Sequence, residues 1–513
     1  MNKKTAIIVI ALLLIIPVQA ILSLRLKSLT FDETSHLPAG YTYLKTGDFR
    51  LNLEQPPLIK LLAALPLLAM DLKLPLDNEY WRVASQYQFG SYFLYYTGND
   101  AGRIILAGRI PVVLLSVMLA YFVFLWARKL YGEPAGLLAL FLYAFCPNML
   151  AHSRLVTMDF GAACFMFIAC YTGWDYLEKP SFRKAVVSGV FLSLALVTKF
   201  SCAMLLPVFA IIFAYGAYRD KIPVRTLLKH VLVMMAICFM IIWASYGFRG
   251  DAFALYVKGI RMIYWNQSPD YYFYMNGKFS LRPWWYYYLF AFLIKTPVPT
   301  LVFLLASVFT AKGKGFRMKN EIWLLMPVMF VVVSSFFDSR NMGLRRILQV
   351  YPFLFVFVGR VVRADVKRKI IDGMTVLLCA WYFVGSLSIF PDYITYFNEF
   401  IGGPKNGIKY LDDSNIDWGE DLPPLKKYMD RKGIREIKLI YYGTSSPQYY
   451  GINAKPVRED EIINGPSSGF YAVSAHYLAR MRLDILMRGY GVDWLRQYKP
   501  VARIGNAIYV YEF

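Results

Sequence analysis

The sequence is poor in charged residues relative to its length. Charged residues make up 18% of the 513 positions, whereas hydrophobic residues make up 57%. A soluble domain usually has about 25% charged residues. So much apolar surface has to face lipid, and this excludes a set of ordinary soluble domains.

Cysteine and histidine are also scarce. The six cysteines all fall inside apolar stretches, without metal-ligand spacing: Cys146, Cys164, Cys170, Cys202, Cys238 and Cys379. They fit helix packing, so no disulfide framework is expected in the polar regions. The sequence has no zinc-protease spacing, no P-loop and no dinucleotide fingerprint. No metal ligands are predicted, and a divalent cation is the one cofactor left open.

Acidic residues are few compared with basic ones. The chain has 56 Lys and Arg against 34 Asp and Glu, a net charge of +22. Such a balance would suit nucleic-acid binding if the positive charge formed a patch or a stripe. The positive residues instead lie in short clusters between apolar stretches, as in membrane proteins. We therefore expect membrane lipids as partners and no nucleic acid.

Apolar runs predict eleven membrane spans. They lie near residues 5–24, 104–126, 135–150, 160–177, 185–198, 201–217, 231–247, 284–309, 321–336, 347–359 and 370–389. The first run resembles a cleavable signal, because it contains Val18-Gln19-Ala20. It continues through Leu24, however, and about 20 apolar residues are enough to span a membrane. We expect an uncleaved first span.

Basic residues in the short connections predict the orientation. With the N-terminus inside, alternate connections carry Lys and Arg, near residues 128–129, 179–184, 219–229, 312–319 and 360–369. All five are predicted to be cytoplasmic. This topology places residues 25–103, 248–283 and those after about 390 outside. We expect a transmembrane domain over residues 1–390 of an inner or plasma membrane protein, and an extracytoplasmic domain over residues 391–513.

The region after residue 390 has a different pattern from the apolar part. Strand-like runs and turn signals alternate with helical stretches. The strands are expected at 437–442, 470–474 and 507–511, and the helices at 421–432 and 476–488. The predicted fold class is therefore a polytopic α-helical membrane protein with a small C-terminal α/β domain.

Four acidic residues are predicted to meet at the outer membrane surface: Asp32, Glu33, Glu54 and Asp159. An adjacent acidic pair there is costly unless it is hydrated, paired or used. Each residue also has an ordinary structural explanation. Glu54 would favour a helix N-terminus, and Asp159 would cap the helix that follows it. The joint pattern favours chemistry more strongly than any single member does.

Cations are predicted on the same side. Arg109 lies several residues into the second span, where an arginine is costly without an anionic partner. Lys199 interrupts two apolar spans at their outer turn, with snorkelling as the alternative explanation. Arg345 and Arg346 precede the tenth span. Carboxylates beside cations suit a reaction in which a nucleophile loses a proton while a phosphate departs.

Aromatic residues are dense between residues 264 and 288, where Tyr271, Tyr272 and Trp284 lie. Aromatic belts at membrane interfaces are the ordinary explanation. Aromatic side chains also line ligand sites. These three residues, together with His36 beside the acidic pair, are therefore predicted to line a substrate site.

The order of these motifs resembles the dolichyl-phosphate-mannose–protein mannosyltransferase-like family of GT-C glycosyltransferases, which includes the bacterial aminoarabinose transferases of lipid A. The resemblance extends along nearly the whole chain. The matching features are Asp32-Glu33 with His36, Gly47-Asp48, Asn52-x-Glu54-x-Pro56-Pro57-Leu58, Arg109 followed by Pro111, Asp159, Leu196-x-x-Lys199, Trp284-Trp285-Tyr286-Tyr287 leading to Lys295-Thr296-Pro297, and residues 411–421 with Pro447-x-Tyr449-Tyr450-Gly451.

This resemblance implies a function and roles for the site residues. The expected reaction transfers one sugar from a polyprenyl-phosphate donor to an extracytoplasmic protein or glycolipid acceptor, with inversion. Asp32 matches the carboxylate usually assigned as base, and the other three acidic candidates join it in the predicted catalytic set. Arg109 and Lys199 would hold the carrier phosphate, with Arg345 beside them. Gln55 stands where some relatives have a basic residue, which leaves the donor-phosphate contacts open.

Two other classes of protein compete with an enzyme. A transporter or flippase of a lipid-linked substrate would need charges buried at mid-span and repeat symmetry. The charged candidates cluster at one interface instead, which favours an enzyme. A non-catalytic scaffold would leave the carboxylate cluster unexplained. Sugar nucleotides are implausible donors, because they are cytoplasmic and the candidate site is predicted to be outside.

Overall fold

Apolar runs form helices in the part before residue 390, because lipid offers no partners to backbone N–H and C=O groups. The computed structural model describes residues 2–265, 271–310, 318–362, 368–489 and 491–513. The helices up to residue 131 are α1 (Lys3–Leu24), α2 (Glu33–Thr46), α3 (Leu58–Ala64), α4 (Glu79–Arg82), α5 (Gln86–Tyr95) and α6 (Ala101–Tyr131). Helices α2 to α5 lie in the predicted outer segment 25–103.

The helical series continues to residue 388. Its members are α7 (Glu133–Ala144), α8 (Pro147–His152), α9 (Met158–Glu178), α10 (Phe182–Leu196), α11 (Leu205–Asp220), α12 (Val224–Ser245), α13 (Ala252–Trp265), α14 (Tyr287–Lys295), α15 (Val298–Thr310), α16 (Met318–Phe336), α17 (Val350–Val358) and α18 (Arg368–Ser388). Each predicted span coincides with one helix or with two consecutive helices. The positions of the helices could therefore be predicted from the apolar runs.

Not all of these helices have the length and hydropathy of a membrane span. Within the described residues, four are long and apolar enough to cross a membrane: Lys3–Leu24, Ala101–Tyr131, Phe200–Asp220 and Val224–Ser245. Helices α14 and α15 pass the same test together but are bent by 110°. Other apolar helices, such as Val350–Val362 and Gly373–Ser388, are shorter. The chain is an integral membrane protein, and the number of eleven spans stays a prediction.

The break between α14 and α15 is held by amide side chains. A proline and the change of direction leave carbonyl groups without helical partners. Asn398 donates through Nδ2 to the carbonyls of Leu293 at 2.6 Å and Thr296 at 2.8 Å. Asn148 donates to the carbonyl of Lys295 at 2.6 Å. The bend is thus satisfied by protein groups, as irregular backbone at membrane depth requires.

The predicted outer aromatic loop, residues 248–283, contains regular structure in its described part. Its first half forms α13, and β1 (Phe273–Met275) pairs antiparallel with β2 (Lys278–Ser280). The hairpin turn uses Asn276 and Gly277 at positive φ, as a tight two-residue turn requires. Gly259 allows α13 to approach the backbone carbonyl of Leu53 and the ring of Phe200. This helix therefore packs beside the motif that carries Glu54.

The region after residue 390 forms the predicted α/β fold. Its strands are β3 (Ile437–Ile440), β4 (Ala454–Pro456), β5 (Phe470–Ser474), β6 (Ala502–Ile504) and β7 (Ile508–Glu512), in the order β4-β3-β5-β7-β6. The first three are parallel, and β7 is antiparallel to both neighbours. The helices are α19 (Leu422–Lys432), α20 (Glu459–Asn464), α21 (Ala475–Arg488) and α22 (Trp494–Gln497). The expected strands and the two expected helices are confirmed.

Backbone pairing and buried charges join the terminal region to the end of α1. Ser28 and Phe31 donate their backbone N–H groups to the carbonyls of Glu420 at 2.8 Å and Trp418 at 3.0 Å. Lys27 is buried and forms ion pairs with Asp392 at 2.5 Å and with Asp421. The terminal region is therefore seated directly on the segment that carries Asp32.

Candidate active site

A chain of alternating charges lies where the terminal region meets the ends of several helices. Arg345 Nη1 is 2.8 Å from Asp32 Oδ2 and 3.1 Å from Asp159 Oδ2. Asp159 Oδ1 is 2.6 Å from Lys199 Nζ. Two carboxylates and two cations, predicted separately from four distant motifs, thus form one connected group.

Helix ends position these four residues. Asp32 is the residue before α2, and Asp159 lies in the first turn of α9, where a carboxylate favours the helix N-terminus. Lys199 follows α10, and Arg345 lies on the 3-10 turn Leu344–Ile347. The side chains of Asp32 and Arg345 remain 20% and 13% exposed. This exposure leaves the group open to a ligand.

Glu33 and Arg109 form a separate, fully buried pair. Arg109 donates through Nε at 2.9 Å and Nη2 at 2.6 Å to the two carboxylate oxygens of Glu33. The backbone N–H groups of Thr30 and Val156 donate to the same carboxylate, each at 2.9 Å. Both side chains are 1% exposed. Arg109, predicted to bind the donor phosphate, is thus occupied by Glu33 and by the carbonyl of Ser28.

The ionised state of Glu33 is favoured by these contacts. Burial opposes ionisation of the carboxyl group, but the Arg109 charge and the hydrogen bonds from Arg109, Thr30 and Val156 outweigh it and lower the pKa of Glu33. The pair joins the residue next to Asp32 to the second span and to the loop before α9. It therefore fixes the segment that carries Asp32 relative to the loop that carries Asp159.

Glu54 lies on a turn that is held by a buried lysine. Its Oε1 accepts a hydrogen bond from Gln86 Nε2 at 2.7 Å. Lys60, completely buried in α3, donates to the backbone carbonyls of Asn52 at 2.6 Å and Gln55 at 2.8 Å, on both sides of Glu54. Asn52 has a φ of 49°, which non-glycine residues rarely adopt. The turn is therefore fixed from below by Lys60.

Gln55, which occupies the position of a basic residue in some relatives, points into protein. Its Oε1 atom is buried and has no hydrogen-bond partner within the part of the chain that the structure describes. The cations near Glu54 come from elsewhere. Arg340 lies within electrostatic range of Glu54 and of Arg346, and Arg346 pairs with Asp338 at 2.7 Å.

His36 is buried next to the same group. Its Nδ1 lies 2.8 Å from the carbonyl of Val156, so this nitrogen carries the proton and Nε2 is left as an acceptor. Burial lowers the pKa of His36, although the charge of Asp32 acts in the opposite direction. The ring is therefore neutral near pH 7 and lies in the electrostatic field of Asp32.

The predicted aromatic residues differ in their distance from the charged group. Tyr271 reaches the terminal region, where its hydroxyl lies 3.3 Å from Asp413 Oδ2 and accepts from Arg480 at 3.0 Å. Tyr272 points away and contacts Met487 Sδ at 3.4 Å. Trp284 is bound through its backbone N–H to Asn341 Oδ1 at 2.7 Å, in the loop before Arg345.

The terminal region contributes groups that the sequence did not single out. Ser414 Oγ accepts from Arg345 Nε at 3.1 Å, and the Trp418 ring lies 4.3 Å from the Arg345 guanidinium. Both residues belong to the acidic stretch 411–421, where only a family likeness marked them. Lys60 was also missed, although a lysine within an apolar helix was a visible signal.

The described residues contain no group of three or more His, Cys, Asp or Glu side chains that could hold a metal ion. Asp32 and Asp159 are instead neutralised by arginine and lysine. The arrangement offers a carboxylate that can accept a proton and cations that can hold a phosphate within a few ångströms of it.

Comparison with known families confirms the resemblance over part of the chain. Residues 98–243 match the family model described as dolichyl-phosphate-mannose-protein mannosyltransferase. The matched segment contains Arg109, Asp159 and Lys199, whereas Asp32, Glu54 and Arg345 lie outside it. A search of the curated proteins finds no match.

Solved structures show distant similarity. ArnT from Cupriavidus metallidurans bound to undecaprenyl phosphate is 13% identical, with a TM-score of 0.48, and the alignment covers 99% of this chain and 98% of that one. The archaeal oligosaccharyltransferase AglB from Archaeoglobus fulgidus is 10% identical, with a TM-score of 0.48 and coverage of 94% and 71%. The Pmt1-Pmt2 protein O-mannosyltransferase complex of S. cerevisiae is 15% identical, with a TM-score of 0.37 and coverage of 54% and 36%.

Proposed function

We propose that this chain is a membrane glycosyltransferase, because its residues 98–243 match a mannosyltransferase family. It transfers a single sugar from a polyprenyl-phosphate donor to a hydroxyl of an extracytoplasmic protein or glycolipid, with inversion at the anomeric carbon. The observation that carries the proposal is the contact of Asp32 with Arg345. Arg345 also contacts Asp159, and Asp159 pairs in turn with Lys199.

The proposed reaction divides the work between these residues. Asp32 takes the proton of the acceptor hydroxyl while the oxygen attacks the anomeric carbon. The bond from that carbon to the phosphate oxygen breaks, and polyprenyl phosphate leaves as a monoester. Arg345 and Lys199 hold the departing negative charge. A phosphate leaves without strong acid catalysis, so no second carboxylic acid has to protonate it.

The ion pairs of the site fit this order of events. Arg345 Nη1 donates to Asp32 Oδ2 at 2.8 Å, so this carboxylate oxygen is occupied by the guanidinium. A donor phosphate competes with Asp32 and Asp159 for the Arg345 guanidinium, which binds phosphate in a bidentate manner. Donor binding would thereby free Asp32 to accept a proton. The base becomes active only when the donor is present.

Other candidates receive supporting roles in this proposal. Glu33 and Arg109 position the segment around Asp32, because their charges are paired with each other. Glu54 lies on the turn held by Lys60, within electrostatic range of His36 together with Asp32, and contributes to acceptor positioning. Tyr271, on the terminal side, lines the substrate site together with His36.

The proposal is tested by transfer assays with a lipid-linked sugar and purified Asp32→Asn. A positioned general base contributes about 10²–10⁴-fold, so turnover should fall by that order while donor binding persists. Asp77→Asn is the matched control, because Asp77 is exposed in the same outer segment. Turnover of Asp32→Asn within a few-fold of the wild type would exclude the base role.

A further inference from the structure

The terminal region holds the side chain of Arg345 and the backbone of the residue before it. Its guanidinium Nε donates to Ser414 Oγ at 3.1 Å and lies over the Trp418 ring at 4.3 Å. The N–H of the preceding residue, Leu344, donates to Asn415 Oδ1 at 2.9 Å. Three residues within one five-residue stretch thus contact a two-residue segment of the membrane part.

The fit between the two segments is close. Gly343 has a φ of 84°, and a Cβ at this position would collide with Ser414 Oγ. The Ser414 hydroxyl also lies 3.4 Å from the carbonyl of Met342. The loop before Arg345 is therefore shaped to receive Ser414, and glycine is required on both steric and conformational grounds.

The stretch that carries Ser414 is itself anchored. Asn415 donates through Nδ2 to Tyr287 Oη at 2.9 Å, and its carbonyl accepts from Lys295 Nζ. Asp413 adopts a φ of 55°, a conformation that a non-glycine residue keeps only where the surroundings enforce it. Trp418 is 1% exposed. A rigid support of this kind fixes the rotamer of a long, otherwise mobile arginine.

We infer that Ser414 and Trp418 are positioning residues that hold the Arg345 guanidinium in the orientation in which it exchanges carboxylate for donor phosphate. This inference rests on the proposed function. Ser414 fixes Nε, and the Trp418 ring fixes the plane of the guanidinium, so that Nη1 faces Asp32 and Asp159. The terminal domain is then a part of the phosphate site, and no contact of these residues with the substrate is needed.

Binding of polyprenyl monophosphate to the purified full-length protein tests the inference through a double-mutant cycle. Ser414→Ala should weaken binding by about 3- to 10-fold, the range for one hydrogen bond to a positioned group. In an Arg345→Ala background the same change should have less than about a 2-fold effect, because its target is gone. Trp418→Phe should retain affinity better than Trp418→Leu, since it keeps a ring under the guanidinium.

Ser445→Ala is the matched control, because Ser445 donates to the carbonyl of Leu29 at 3.2 Å in the same interface without contacting Arg345. It should bind as the wild type does. If Ser414→Ala weakened binding equally in the wild-type and Arg345→Ala backgrounds, Ser414 would have a structural role only, and the inference would be overturned. Unchanged affinity in Arg345→Ala would instead refute the phosphate site itself. If Ser414→Ala does not fold, the Trp418→Phe and Trp418→Leu pair, compared in the same two backgrounds, decides the question.

Discussion

Asp32 and Glu33 are neighbours in sequence but lie in opposite environments. Glu33 is 1% exposed and accepts hydrogen bonds at both oxygens from a bidentate arginine and two backbone N–H groups. Asp32 is 20% exposed and, among the residues that the structure describes, has one ion-pair partner, which it shares with Asp159. A carboxylate whose bonding capacity is filled stabilises structure, whereas one with remaining capacity can do chemistry. The two residues therefore call for different tests.

Glu33→Gln should reduce the free energy of unfolding by about 3–5 kcal/mol, because it leaves the buried Arg109 charge without a partner. The lowered pKa of Glu33 also sets a pH dependence. The stabilisation is present above the unfolded pKa of about 4.3 and is lost as the pH falls through the folded value. Wild-type stability should thus decline in acid more steeply than that of Glu33→Gln. Thermal unfolding in detergent at pH 3 to 7 measures both effects.

Glu79→Gln provides the control for this experiment. Glu79 forms an exposed pair with Arg82 at 3.9 Å, and exposed pairs contribute about 0–1 kcal/mol. Its unfolding should match the wild type at every pH. A wild-type stability in Glu33→Gln would show that the buried pair does not hold the segment around Asp32.

Much of the charged group could be predicted from the sequence, and the reason is topological. Asp32, Asp159, Lys199 and Arg345 lie at span ends on the same side, so alternating crossings bring them to one surface. Which cation meets which carboxylate could not be predicted this way. Arg109 lies deeper in a helix than Arg345 does. That Arg109 is paired with Glu33 becomes visible only from the packing of α2 against α6.

At the level of elements, the turn that carries Glu54 depends on one side chain of α3. Lys60→Met should leave the carbonyl of Gln55 without its donor and the carbonyl of Asn52 with only the 3.4 Å bond from the Gln55 N–H, at about 1–3 kcal/mol for an unsatisfied group. Amide hydrogen exchange of residues 51–55 should accelerate by about 10-fold or more. Transfer activity should fall toward that of Glu54→Gln.

Lys73→Met is a suitable comparison, because Lys73 is exposed in the same predicted outer segment and its backbone, bonded to Asn99, makes its only hydrogen bonds to described residues. Its exchange pattern over residues 51–55 should be unchanged. If amide hydrogen exchange in Lys60→Met were as slow as in the wild type, the turn would be stabilised by its own sequence and not by Lys60.

The elements differ in how well their sequence predicts them. The terminal strands 470–474 and 508–512 are short apolar runs between turn signals, and their positions follow directly from that pattern. The broken helix pair α14–α15 was predicted as one continuous span, residues 284–309. The bend of 110° between the two helices cannot be predicted from an apolar run. The bend depends on Asn148 and Asn398, which lie far away in the sequence.

For the whole molecule, the orientation in the membrane is the central prediction. Single cysteines at positions 128, 183 and 225 should be labelled from the cytoplasmic side, and cysteines at 436 and 459 from outside, according to the Lys and Arg distribution. Positions 317 and 367 carry the same prediction but lie outside the described residues. A membrane-impermeant thiol reagent applied to intact cells and to inverted vesicles makes the measurement.

A background without the six native cysteines is needed, although four of these are buried and two partly buried. Labelling at 225 from outside, or at 436 from inside, would contradict the topology and would place the candidate site on the cytoplasmic face. Sugar nucleotides would then return as plausible donors.

The buried charge of Lys27 has a consequence for the order in which the protein is made. Its partners Asp392, Glu420 and Asp421 lie more than 360 positions later in the chain. Arg154 likewise faces Glu420 at 3.6 Å. During translation the first helices therefore reach the membrane before any of these partners has been made, and the set is complete only once ribosomes have passed residue 421. Nascent chains truncated before this point should be retained by insertion factors or degraded. Stable insertion of the first helices therefore depends on synthesis of the C-terminal quarter of the chain.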